Sequence, residues 1–217
     1  GVSAGTGAVG LPAEAYAAPN TIVYVRPLPA SREDDKPAVR PLQVLKLPRN
    51  TPEGPQRLKS FHYMNNILGK RELNAYPWAA GAEGLFMTAD GHVAEGIVSN
   101  VFFTEGDRVC TPSVGTGILP GVTRAFVIDL LRRAGVAVVE GAFTLEQLTE
   151  ANELFLTNSV QELVQVDRLY DQEGNVIWRR QEADPEHESM VHRLLRSYRQ
   201  AAKGGYDDND ATAGDGK

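Results

Sequence analysis

Val93-Ala-Glu95-Gly-Ile-Val-Ser-Asn100 sets one carboxylate between a β-prone run and a turn of small residues. Taken alone, Glu95 reads as a turn acid facing water. Three other segments, in fixed order around it, change that reading. Arg57-Leu-Lys59-Ser-Phe-His-Tyr63 comes before it, where a breaker-rich stretch hands over to a helical pattern. Gly117-Ile-Leu-Pro-Gly121-Val-Thr123-Arg and Phe155-Leu-Thr157-Asn-Ser159-Val-Gln-Glu162 follow it. Pro120-Gly-Val-Thr opens a helix, whose free N–H groups and positive dipole end attract an anion.

A lysine, then an acid, then two small-residue turns that can hold phosphate are what a pyridoxal phosphate site needs. The lysine amine forms a Schiff base with the cofactor aldehyde, and a carboxylate holds a proton on the pyridine nitrogen, making the ring an electron sink. In order and wording the four segments resemble the fold-type IV pyridoxal-phosphate aminotransferases. That family includes branched-chain and D-amino acid aminotransferases and aminodeoxychorismate lyase. The resemblance covers roughly residues 1–180, and around Lys59 and Glu95 the wording is most similar to the lyases.

The resemblance implies an α/β (α+β) fold: the C-terminal domain of the D-amino acid aminotransferase-like fold plus the end of a small N-terminal lobe. Most of that lobe is expected to be missing, since Lys59 comes early and the chain opens as if in mid-strand; an arginine that completes the phosphate site in several relatives would go with it. It also implies pyridoxal 5'-phosphate as cofactor, Lys59 as the catalytic lysine, and Glu95 on the ring nitrogen. Gly121, Val122 and Thr123 become the phosphate clamp, with Asn158 and Ser159 as the second phosphate turn. Tyr63 is a candidate partner of the cofactor's phenolic oxygen, although family members differ by one residue in this spacing. Ser99 and Asn100 are read as shaping the turn after Glu95, and Arg124 as pointing outward from the first helical turn.

All members share proton removal by the freed lysine. The lyase then expels pyruvate and leaves 4-aminobenzoate for folate synthesis, whereas an aminotransferase releases a keto acid. D-amino acid aminotransferases carry an Arg-x-His carboxylate trap in the loop corresponding to residues 5–12, where this chain has Gly-Thr-Gly-Ala-Val-Gly-Leu-Pro. The expectation is the lyase. A branched-chain or other amino-acid aminotransferase and a non-catalytic remnant remain open. The family's habit implies a homodimer acting on a small amino substrate.

Composition sets the outer bounds. A chain of 217 residues, 42% hydrophobic, can bury one good core. A net charge of −6 and a pI near 5.3 leave no basic block for nucleic acid. The single Cys110 precludes an internal disulfide and suits a reducing cytoplasm. No apolar run approaches the roughly 20 residues of a membrane helix. His62, His92, His187 and His192 have no metal-ligand spacing, so no metal is expected.

Along the chain, β-branched runs predict strands over 21–26, 39–47, 84–88, 92–94, 99–104, 108–111, 136–140, 153–156 and 163–169. Helices are expected over 60–74, with Phe61, Met64, Ile67, Leu68 and Leu73 as its apolar face, from 120 to a stop at Gly135, and over 185–202. Thr144-Leu-Glu-Gln147 is a capping box. Residues 1–50 are expected to be the remainder of the small lobe, 51–56 (overlapping the proline-rich stretch Pro48–Pro55) an interdomain connector, 57–203 the cofactor-binding domain, and 204–217 a disordered tail with almost nothing to bury.

Overall fold

The structure, a computed structural model, describes residues 1–3, 18–25, 27, 36–181 and 188–204. The chain divides into two units, Gly1–Ser31 and Arg32–Lys217. In the first, β1 (Val2–Ser3) pairs antiparallel with β2 (Asn20–Thr21). The strand expected over 21–26 is therefore cut short. Val23, Tyr24 and Val25 are exposed and have no strand partner among the described residues.

The second unit is built on one nine-stranded mixed sheet. Its strands are β3 (Ala38–Val44), β4 (Glu83–Met87), β5 (Val93–Gly96), β6 (Asn100–Glu105), β7 (Arg108–Pro112), β8 (Ala137–Gly141), β9 (Leu154–Asn158), β10 (Glu162–Tyr170) and β11 (Val176–Arg179). The order is β5-β4-β3-β10-β9-β6-β7-β8, with β11 also pairing with β10. β3 runs parallel to both β4 and β10, and β7 parallel to β8. The sheet curls until its ends approach, and Val93 N–H donates to Phe143 O, just past β8, at 2.7 Å.

Side chains alternate across each strand, which sorts the core into an inside and an outside. Val101, Phe103, Cys110, Leu154, Leu156, Val164 and Val166 point into the curl. Their neighbours Phe102, Val109, Phe155 and Leu163 point out, under α2 (Val122–Arg133) and α4 (Met190–Gly204). Phe102 and Phe155 stack there at 5.0 Å. A third cluster seats α1 (Met64–Ala75) on β3 and β4 through Leu45, Leu73 and Phe86. The short α3 (Leu145–Thr149) carries the expected capping box, Thr144 N–H donating to Gln147 Oε1 at 2.9 Å.

Three expectations change. β3 lies in the middle of the large sheet, so the division between units falls after Ser31 and not at the 51–56 connector. The proline-rich connector links β3 to α1 within one unit. Of the apolar face read for α1, Leu73 faces the sheet, beside Gly69, while the rest points outward: Phe61 is 65% exposed and Met64 64%, with Ile67 and Leu68 also exposed. An alanine Cβ at Gly69 would meet Phe86 Cζ at 2.5 Å, so glycine permits the close approach on that side. Strand β11 was not anticipated, although Gly174 (φ 93°) turns the chain just before Val176-Ile-Trp. The proposed disordered tail and the 5–12 loop lie outside the described residues, apart from Gly204 at the end of α4.

Candidate functional site

Glu95 is the penultimate residue of β5 and is 4% exposed. Its carboxylate is the centre of a converging set of donors. Arg49 Nε donates to Oε1 at 2.8 Å, while Leu119 N–H and Asn100 Nδ2 donate to Oε2 at 2.9 and 3.3 Å. Arg57 Nε stands 3.8 Å from Oε1. Burial pushes the Glu95 pKa up, while Arg49, the Leu119 N–H and Arg57 pull the other way. Three donors on a carboxylate with about four acceptor positions leave room for one more N–H.

Asn100, the first residue of β6, joins this acid to the next turn, since its Nδ2 also donates to Leu119 O at 2.9 Å. Its Oδ1 lies against Gly121, where an alanine Cβ would come within 2.3 Å of it. Gly121 caps α2, and no side chain closes that N-terminus. The first N–H groups of the helix therefore lack intrahelical partners. Thr123 Oγ1, on the first turn, lies 3.4 Å from Ser159 Oγ. Asn158 folds the second turn by accepting Val160 N–H at 3.0 Å and Gln161 N–H at 2.8 Å. Just before it, Thr157 Oγ1 is buried without a partner. An uncapped helix start, two adjacent hydroxyls and an orphaned buried hydroxyl fit the phosphate end of a cofactor.

Ser99 faces away from this set, its hydroxyl donating to Glu83 Oε1 at 3.3 Å. Glu83 also accepts Val98 N–H at 2.9 Å, and burial raises its pKa. Lys59 and Tyr63 are exposed within the sheet unit, where no element among the described residues covers the 58–63 segment. Arg57, two residues earlier, anchors the segment through Nε to Gly117 O at 2.8 Å and through its terminal nitrogens to Asn50. Burial first, then the neighbouring Arg49, lowers its pKa.

Arg124 does not point outward. It is 4% exposed and donates to Pro112 O and Glu140 Oε2, each at 2.8 Å, because β7 and β8 end beside the start of α2. Among the described residues no group of three or more potential ligands could hold a metal ion. No helix among them is long and apolar enough to cross a membrane.

Sequence reading missed Arg49 and the Leu119 backbone. Arg49 sits in the proline-rich stretch, where an arginine is ordinarily a solvated charge, and its acid lies far along the chain. The Leu119 N–H is invisible to residue type altogether.

Comparison with known proteins gives this geometry a family. Aminodeoxychorismate lyase of Bacillus subtilis is 44% identical over 172 residues, covering 77% of this chain and 55% of the relative. D-alanine aminotransferase of Bacillus licheniformis is 31% identical over 112 residues, covering 52% of this chain and 38% of the relative. A solved structure from Legionella pneumophila, provisionally described as a 4-amino-4-deoxychorismate lyase, superposes with a TM-score of 0.70 at 26% identity, covering 92% of this chain and 67% of that one. The branched-chain amino acid aminotransferase of Thermobaculum terrenum in its PLP form gives 0.67 at 26% identity, covering 81% of this chain and 55% of that one. The chain thus spans about half the length of the curated relatives it matches. A sequence model described as amino-transferase class IV matches residues 2–169, which include Lys59, Glu95, Thr123 and Ser159, and the chain belongs to that family.

Proposed function

We propose that this chain carries the pyridoxal phosphate site of a 4-amino-4-deoxychorismate lyase, which forms 4-aminobenzoate and pyruvate for folate synthesis. The observation that supports the lyase above its sister reactions is the 44% identity to the Bacillus subtilis lyase. The donor set around Glu95 and the uncapped start of α2 support the cofactor.

When bound, pyridoxal phosphate supplies an electron-withdrawing ring that stabilises negative charge on the substrate carbon. Glu95 accepts from the ring N–H at its remaining acceptor position and so keeps that proton in place. The N–H groups of Val122 and Thr123, with the Thr123 and Ser159 hydroxyls, hold the phosphate at the helix start. Lys59 Nζ would hold the aldehyde end and would serve as the base for the proton on the substrate carbon. Tyr63, four residues on, is assigned to the phenolic oxygen.

The exposed apolar face of α1, Met64, Ile67 and Leu68, follows directly on the Lys59 segment. A second copy of the chain packed there would cover both, and we assign the protein as a homodimer. The buried, unpaired Cys110 suits a cytoplasmic enzyme.

Borohydride reduction of the cofactor-loaded protein and peptide mapping should put the label on Lys59; a label on Lys46 or Lys70 would refute the assignment. Supplied with chorismate, glutamine and the amination partner, the lyase yields fluorescent 4-aminobenzoate. Glutamate from leucine and 2-oxoglutarate, without 4-aminobenzoate, would instead establish an aminotransferase.

A further inference from the structure

We propose that Arg49 is the counter-ion that keeps Glu95 charged and aimed, and so acts as a positioning residue for the ring-nitrogen acid; this rests on the cofactor reading above. Arg49 and Glu95 side chains are each 5% exposed, and among the described residues no other carboxylate lies within ion-pair distance of Arg49. The other acceptors that the guanidinium bonds are neutral, and the second cation beside the pair is Arg57. Nη1 donates to the side-chain oxygens of Asn65 at 2.6 Å, Asn66 at 3.2 Å and Asn50 at 3.2 Å. Those amides are themselves held, Asn65 Nδ2 donating to Pro48 O at 3.0 Å and Asn66 Nδ2 to Ile97 O at 2.5 Å. The guanidinium also lies over the Phe86 ring, 5.3 Å from its centre. A cation fixed on every side in this way leaves its full charge for one acid.

Arg57 cannot take over. Its donors are committed to Gly117 O and Asn50, and at 3.8 Å it makes no hydrogen bond to Glu95. The other charged groups near the pair are Glu83 on β4, which serves Val98 N–H and Ser99, and Glu53, which acts on Arg57. Asn100 and the Leu119 N–H direct Oε2 but carry no charge. Removing Arg49 leaves a buried carboxylate that burial drives to take up a proton. A protonated Glu95 no longer favours a charged pyridinium.

The test uses the 217-residue chain in two arms. In the first, without cofactor, carboxyl-¹³C-labelled glutamate is titrated by NMR, the Glu95 signal being identified by its loss in Glu95→Gln. Arg49→Met should raise the Glu95 midpoint by at least about one pH unit, a tenfold gain in proton affinity. Arg49→Lys, which keeps the charge, should stay close to the wild-type midpoint. Asn65→Asp, close to isosteric, offers Arg49 a competing anion and should also raise the midpoint, which keeps the test decisive if Arg49→Met does not fold. In the second arm, ring-¹⁵N-labelled pyridoxal phosphate should be protonated in the wild type and not in Arg49→Met. A folded Arg49→Met or Asn65→Asp variant whose Glu95 midpoint does not move overturns the proposal. If the wild type takes up no cofactor while the midpoint shifts, the pairing stands and the cofactor reading falls.

Discussion

Gly121→Ala isolates the contact that joins the acid to the helix start. Gly121 has φ −66° and ψ 137°, which alanine adopts freely, so any cost is steric and not conformational. The new Cβ would sit 2.3 Å from Asn100 Oδ1 and 3.5 Å from its Cγ. Asn100 is 5% exposed and has no open space to turn into. Its Nδ2 would give up the bonds to Leu119 O at 2.9 Å and Glu95 Oε2 at 3.3 Å. Two such bonds contribute about 1 kcal/mol each, and overpacking adds about 1–3 kcal/mol. The expected loss is about 3–5 kcal/mol, a fall in Tm of roughly 6–20 °C for a chain of this length. Urea unfolding followed by circular dichroism measures it. In an Asn100→Ala background the obstructing oxygen is gone, and only glycine's N-cap advantage over alanine remains, under about 1 kcal/mol. An equal cost in both backgrounds would refute the clash, because contacting sites must couple.

Glu83→Gln tests the buried acid under the turn. Burial holds the Glu83 pKa above its ordinary 4.5, so the folded state binds the proton more tightly and the wild type loses stability as pH rises from there through the folded value. Glutamine keeps an oxygen for Val98 N–H and escapes that loss, so its urea midpoint should gain on the wild type across this window and then level off; a constant difference would contradict it. Gly69→Ala should destabilise by about 1–3 kcal/mol despite alanine's better helix propensity, because the Cβ meets Phe86 Cζ at 2.5 Å. Shrinking the ring with Phe86→Leu should recover part of that loss, and a stabilised Gly69→Ala would show that α1 stands further off the sheet.

The strands of the curled sheet were legible because both faces bury apolar side chains. Runs such as Val101-Phe102-Phe103 and Leu154-Phe155-Leu156 supply both faces at once. Of the inward face of α1 only Leu73 was legible, because the outward side is the more apolar one. Periodicity reports where hydrophobic residues lie and not which partner they meet, and Gly69 signals close packing only when Phe86 is seen beneath it. Arg124 and Arg49 failed as sequence readings for a shared reason. Each is buried by a partner from a distant strand, Glu140 on β8 and Glu95 on β5. Exposed and paired arginines look identical in one dimension. The turn segments that carry Glu95, Gly121 and Ser159 could be read, because their glycines and small polar residues are what tight turns demand.

The topology explains why the acid sits where it does. β5 and β6 are consecutive in sequence, yet β5 lies at one end of the sheet order and β6 far along it, beyond β9. The four residues from Gly96 to Ser99 must therefore cross the mouth of the curl, and Gly96 N–H donates to Ser99 O at 2.8 Å to make the crossing tight. No side chain fits at Gly96, where a Cβ would lie 2.1 Å from Ser99 Oγ and 2.9 Å from Glu83 Oε1. Glu83 braces this crossing from β4, while Asn100, at its far end, reaches Leu119 and abuts Gly121 ahead of α2. One short span thus fixes both the acid and the helix start relative to strands that never pair. The contacts that bring the sheet ends together also set the spacing between the proposed ring-nitrogen acid and the proposed phosphate cradle, so loosening the crossing must disturb both ends of the site together.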